Sequence, residues 1–112
     1  MGNYLRRKRY LNTFWEAKAQ KEVTIDKFIR SIESLHWKSL HDIKHDYPKV
    51  SILKNNRLVF DLKGNKYRLI VSYLFYEDNC YLFVEWIGTH AEYTKICNKN
   101  IQHTIQNYSD YS

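Results

Sequence analysis

The sequence predicts an α+β fold: two N-terminal helices packed on a three- to four-stranded antiparallel sheet, then a short C-terminal helix. Three observations predict it. Apolar residues recur with the helical period of 3.6 as far as Trp37, the period changes to two after Pro48, and a helix-start signature stands at Thr89-x-x-Glu92.

The elements follow in order. Tyr4 and Leu5 suggest a short first strand. Leu11, Phe14, Trp15 and Lys18 fall at i, i+3, i+4 and i+7, which predicts an amphipathic helix from about Lys8 to Lys21. Thr24 can cap a second helix, in which Ile25, Phe28, Ile29, Ile32, Leu35 and His36 keep the period to about Trp37. Ser39 can cap a further short helix, Leu40 to Asp46. Pro48 forbids its continuation and pushes Tyr47 out of the helical region. Val50 to Leu53 then alternates, Asn55-Asn56 can take the positive φ of a tight hairpin, and Leu58, Phe60 and Leu62 alternate with Val59 and Asp61 in a second strand. Lys63-Gly64-Asn65 reads as a turn. Tyr67 to Tyr76 is β-branched and aromatic on both faces, as a central strand should be. Glu77-Asp78-Asn79 turns the chain, Cys80 to Ile87 forms another strand, and Gly88 is expected to break it. Thr89 and Glu92 can cap each other's backbone N–H groups at the start of a helix reaching about Asn98.

The 112 residues make one domain, 1–112, with a core of about 5–97 and a polar tail, 98–112, that should be loosely attached. A composition 44% hydrophobic and 16% aromatic excludes a disordered chain. Two cysteines can build neither a disulfide-stapled mini-fold nor a Cys-rich zinc module. No apolar run approaches the ~18–20 residues that span a bilayer. The opening MGNYLRRKRYLN has no apolar stretch behind its basic residues, so a cytoplasmic protein with reduced thiols is expected. The net charge of +6 suggests an anionic partner, and its distribution narrows the suggestion. Four of those units lie in Arg6-Arg7-Lys8-Arg9, a run that could meet RNA phosphates or an acidic protein segment. A second local excess runs from Arg57 to Arg68, where four basic residues face Asp61 alone.

The residues that could carry chemistry cluster from Arg57 to Lys95. In an antiparallel meander the start of one strand lies beside the end of the next. Asn65, Lys66 and Arg68 can therefore meet His90, Tyr93 and Lys95 at one edge of the sheet. That assortment suits phosphoryl chemistry on RNA. Attack by the RNA's own 2′-OH needs a base, a cation for the phosphorane and an acid for the 5′-oxygen. Arginine offers a bidentate, permanently charged phosphate clamp, histidine titrates near neutrality, and tyrosine can stack or share in proton transfer. The same residues have plainer uses: a strand arginine is usually a surface ion pair, a helix-start histidine often just polar, and a tyrosine often half-buried packing. His41 and His45, four apart on a polar helix face, read as a solvated face rather than a metal site, and no metal or cofactor is expected. Cys80 and Cys97 read as small buried residues or a chance free thiol.

The segment Phe60 to Ile96, FDLKGNKYRLIVSYLFYEDNCYLFVEWIGTHAEYTKI, resembles the HigB type of mRNA interferase toxin in the RelE/ParE-like toxin superfamily. The likeness rests on G-N-x-Y-R-L-I at Gly64 to Ile70 and T-H-x-E-Y at Thr89 to Tyr93. Leu11, Phe14-Trp15, the stretch from Trp37 to Pro48 and Val59-Phe60-Asp61 support it, so it covers Leu5 to Cys97. The resemblance implies a RelE-like fold and a metal-independent endoribonuclease that cuts mRNA, often on the translating ribosome, leaving a 2′,3′-cyclic phosphate. It implies an inhibiting cognate antitoxin, HigA-like; the toxin is expected to be a monomer when free and a hetero-oligomer with the antitoxin. By motif position it makes Arg68 the phosphate binder and His90 and Tyr93 the proton-transfer and base-positioning pair. Asn65, Lys66, Lys95 and Arg57 become substrate contacts. The alternatives are a non-catalytic module that docks RNA or protein on the same sheet, and a gyrase-inhibiting relative in the superfamily.

Overall fold

The computed structural model describes residues 2–17, 24–62 and 66–106. Its elements are β1 (Asn3–Arg6), α1 (Lys8–Ala17), α2 (Thr24–Glu33), α3 (Leu40–Asp46), β2 (Ser51–Leu53), β3 (Arg57–Leu62), β4 (Tyr67–Tyr76), β5 (Asn79–Thr89) and α4 (His90–Asn98). The class is α+β, as predicted, with two corrections to the arrangement. Three described helices precede the hairpins, so the packed layer holds three rather than two; the third is the short helix Leu40–Asp46 that Ser39 was expected to cap. The sheet has five strands in the order β1-β5-β4-β3-β2, and it is mixed, because β1 runs parallel to β5. A parallel partner some seventy-five residues away leaves no mark in local sequence. β4 lies in the middle, as its apolar faces require.

Asn3 explains both the first strand and the early end of α2, four residues short of Trp37. Its buried side-chain amide donates to the Ile32 carbonyl at 2.9 Å, and its side-chain oxygen accepts the Trp37 N–H at 2.9 Å. Its backbone N–H donates to the Leu35 carbonyl. The helix therefore finds a better acceptor–donor set in β1 than in another turn of its own. Glu33 closes the outer edge of β1 by accepting the Leu5 N–H at 3.1 Å and Lys8 Nζ at 2.8 Å. The first helix is described only to Ala17, so its expected run to Lys21 lies partly outside the described residues, as does the Lys63-Gly64-Asn65 turn.

One side of the sheet is covered by α1, α2 and α3. Leu11, Trp15, Ile29, Ile32 and Ile43 meet Leu58, Phe60, Leu62, Leu69, Val71, Leu82, Val84 and Ile87 in the main core. The two hairpin turns among the described residues use asparagine, glutamate and aspartate at positive φ: Asn55 at 60° and Asn56 at 55°, Glu77 at 47° and Asp78 at 68°. On the other side, α4 lies against a smaller cluster of Val59, Ile70, Trp86 and Ile96.

Two departures in β5 and beyond shape this second side. Ile70 pairs with Trp86 but Val71 pairs with Val84, so Glu85 is an extra, unpaired residue, a β-bulge. The strand also continues through Gly88 to Thr89 instead of breaking there. The Trp86 ring lies across Gly88 so closely that a Cβ would sit 2.4 Å from the indole. Glycine is there for close approach, not to end a strand. The tail expected to be loose is docked over residues 99–106. Ile101 and Ile105 pack on the smaller cluster, His103 accepts the Lys54 N–H at 3.1 Å, and Asn55 donates to the His103 carbonyl at 3.0 Å.

Candidate active site

The β3–β4 and β4–β5 pairings set the site. Asp61 lies opposite Arg68, and Arg68 lies opposite Gly88 on its other flank. All three share the sheet side that carries α4. Arg68 Nε lies 3.1 Å from an Asp61 carboxylate oxygen as an ion pair, and Arg68 Nη1 donates to the Tyr67 carbonyl at 3.4 Å. The plain reading of a strand arginine as an ion pair therefore holds, but this pair is partly enclosed: the Arg68 side chain is 11% exposed and that of Asp61 31%. Across Gly88 the Trp86 indole forms a wall, with the Tyr93 ring 6.3 Å from it, centroid to centroid.

The strand end and helix start are joined by backbone. Tyr67 pairs with Thr89, and His90 N–H donates to the Lys66 carbonyl at 2.9 Å. Thr89 and Glu92 form the predicted capping box: Thr89 Oγ1 accepts the Glu92 N–H at 3.2 Å, and Glu92 accepts the Thr89 N–H at 2.8 Å. His90 is thereby fixed as the first residue of α4, with an exposed side chain, and Tyr93 follows one turn on, half-buried. Burial, a hydrogen bond to the Cys97 thiol and its charge push the Tyr93 phenol well above its ordinary pKa, and Asp61 pushes the same way; Arg68 pulls it down. The phenol is consequently protonated throughout the neutral range. Cys80, by contrast, is a core thiol whose burial pushes it up to about 12, so it supplies no nucleophile.

The predicted site residues sort into three groups. Arg68, Tyr93 and the backbone of His90 and Lys66 meet at one end of the sheet, as the meander argument requires. Lys66 and Lys95 are exposed near this end, while Asn65 lies outside the described residues. Arg57 lies elsewhere. It is four residues along β3 from Asp61, roughly 13 Å of strand. Its side chain is 5% exposed, and Nη1 donates to the carbonyls of Gln102 and Ile105 at 3.2 and 2.8 Å. It also faces Glu85, which is paired at 3.0 Å with Arg7. This arginine ties the tail to the sheet and is covered by it. Of the basic run, Arg7 is bound to Glu85 and lies over the Phe83 ring, Lys8 is bound to Glu33, and Arg6 lies over Tyr4. The run is thus largely anchored to the body of the protein rather than forming an arm.

Asp61, Trp86, Gly88 and Cys97 are the site neighbours that the sequence reading passed over. The first had a signal: a symmetric hairpin about residues 63–66 must place Asp61 opposite Arg68. Among the described residues, no three His, Cys, Asp or Glu side chains gather as a cation site.

The family model for HigB toxin, the RelE-like toxic component of a toxin–antitoxin system, matches residues 21–96. The chain belongs to the HigB toxin family. The match takes in α2 to β5, most of α4, and Asp61, Arg68, His90, Tyr93 and Lys95, and HigB-family membership brings with it an antitoxin partner. No curated protein matches the chain. Among the described residues, no helix is long and apolar enough to cross a membrane.

Proposed function

We propose that this HigB-family toxin is an endoribonuclease that cuts mRNA on the translating ribosome by 2′-OH attack, without a metal. The observation that carries the reading is the meeting of Arg68 and a protonated Tyr93 at the sheet end where His90 opens α4. In the mechanism, His90 takes the proton from the 2′-OH and the oxygen attacks phosphorus. Arg68 stabilises the charge that builds on the phosphorane. Tyr93 gives its proton to the departing 5′-oxygen, and the proton that His90 took from the 2′-OH then returns to the phenol. The bond to the 5′-oxygen breaks, leaving a 2′,3′-cyclic phosphate and a 5′-hydroxyl. Lys66, Lys95 and Asn65 hold flanking phosphates or bases. Arg57, buried beneath the tail, takes no part in this account.

The test is to map mRNA 5′ ends in translating cells that express the protein or its variants. Purified protein is assayed in parallel on single-stranded RNA and on ribosomes. New 5′-hydroxyl ends are expected with the unaltered protein. Arg68→Ala and His90→Ala should slow cleavage by roughly 10²–10³-fold, and Tyr93→Phe less. Toxicity with intact mRNA would defeat the reading. Lost DNA supercoiling in its place would identify a gyrase inhibitor, and RNA binding without cutting a docking module.

A further inference from the structure

We infer that the open side of the sheet, at the end far from Arg68, is a stacking platform for single-stranded RNA. The inference shares with the functional reading its ligand and not its chemistry, since a platform holds RNA whether or not the strand is cut. Strand alternation builds it. Leu5, Leu69, Val71, Leu82 and Val84 enter the main core, so Tyr4 and Arg6, Leu74 and Tyr76, and Tyr81 and Phe83 turn to the other side. Register gathers them: Tyr4 lies beside Tyr81, Tyr81 beside Leu74, and Arg6 beside Phe83. The helix on this side, α4, packs on Val59, Ile70 and Trp86 instead. Leu74 stands six residues along β4 from Arg68, roughly 20 Å of strand. Three large hydrophobic side chains are exposed among the described residues, and two of them, Leu74 at 48% and Tyr76 at 58%, lie here. A concentration of that kind marks a binding surface.

The chemistry of the patch selects its partner. The Tyr4 and Tyr81 rings are stacked, 5.5 Å apart and 23° from parallel, and the Arg6 guanidinium lies over the Tyr4 ring at 5.8 Å. Flat rings on a strand face, with an arginine among them, offer stacking surface to bases and positive charge to phosphates. These strand positions carry no carboxylate; Glu77 and Asp78 stand in the turn at the border. A second copy of the chain, itself at a net charge of +6, would bring like charge to the patch. An acidic protein segment would match the charge but bring no series of planar groups for the rings. Single-stranded RNA supplies both.

The test uses the full chain and a single-stranded RNA of about ten nucleotides and mixed sequence. Its sugars are 2′-O-methylated, so 2′-OH attack is impossible and binding is read alone. Tyr76→Ala should weaken binding by on the order of tenfold, the loss of one stacked base, whereas Tyr76→Phe should stay within about twofold. Arg6→Gln should weaken it and lower the salt slope by about one phosphate contact. Ile52→Ala, an exposed apolar residue beside Leu58 and away from the platform, should change nothing. In NMR spectra the ring protons of Tyr4, Tyr76 and Tyr81 should move upfield as RNA is added. Unaltered affinity in Tyr76→Ala with unmoved rings overturns the proposal. Rings that respond to polyglutamate and not to RNA overturn it too, as does a dimer that forms through these rings in place of RNA binding. Cleavage of ordinary RNA is assayed separately. If that RNA stays uncut while the rings still shift, the nuclease reading fails and the platform stands; if it is cut while the rings stay silent, the platform fails and the nuclease reading stands.

Discussion

The two sides of the sheet are built on opposite principles. The side under α1, α2 and α3 is a continuous apolar core in which Trp37, Phe60, Leu69 and Leu82 are almost wholly buried. The side under α4 has a small apolar cluster, and around it run polar lines: Arg7–Glu85–Arg57 with the tail carbonyls, and Asp61–Arg68 beside Tyr93. The contrast teaches where stability and chemistry are kept apart. One side supplies the packing that holds the strands in register. The other can then carry charged groups whose burial would be costly in a structure that relied on them.

The largest effect should come from breaking the packed side. Phe60 stacks with Trp37 and meets Phe28 and Tyr47 edge-on. Phe60→Ala should cost about 3–5 kcal/mol, visible as a fall in the urea midpoint, with the site residues untouched in sequence. On the other side, Arg57→Ala should cost about 2–3 kcal/mol, because it leaves two tail carbonyls without their donor and Glu85 with Arg7 as its ion-pair partner. Its distinguishing sign is local: faster proteolysis and amide exchange over 99–106, in excess of the global change. A tail that stays equally protected would show that the apolar contacts of Ile101 and Ile105 alone hold it.

The smallest effect concerns acid. Burial raises Glu33, but hydrogen bonds from Lys8 and the Leu5 N–H and the charges of Lys8 and Arg6 outweigh it and leave its pKa below the ordinary 4.5. A carboxylate lowered on folding stabilises the fold fully above that value and loses its contribution as pH falls through the lowered one. The group is largely solvent-screened, so the gain is a fraction of the usual ion-pair energy. Glu33→Gln should therefore narrow the stability difference between neutral and strongly acidic solution slightly, as read by thermal unfolding at both pH values.

What the sequence disclosed follows the range of the interaction. The Thr89/Glu92 cap, the Asn55-Asn56 turn and the central strand Tyr67–Tyr76 are local patterns, and each stands where it was predicted. The Arg68–Tyr93 meeting was legible because hairpins convert sequence spacing into cross-strand neighbours. Non-local partners were not legible. Asn3 ends a helix thirty residues away, β1 finds β5 in parallel, and the tail is tied by an arginine that looked like a substrate contact. A strand-start Arg near Lys66 and Arg68 reads as part of a basic patch until the chain that covers it is known. Gly88 misled for a related reason: the steric need it serves is set by the neighbouring indole.

The single unpaired residue in β5 behaves as a phase shift. Before it, Leu82 and Val84 point into the main core; after it, Ile87 does, so the inward beat moves from even to odd positions. Trp86 and Gly88, which an unshifted strand would turn toward the helices, instead come out beneath α4 and opposite Arg68. Glu85 thus separates two messages written in one strand, an upstream half spelled for the core and a downstream half spelled for the site. Removing that one residue would leave nearly every amino acid present and exchange the meaning of all that follow it up to the helix.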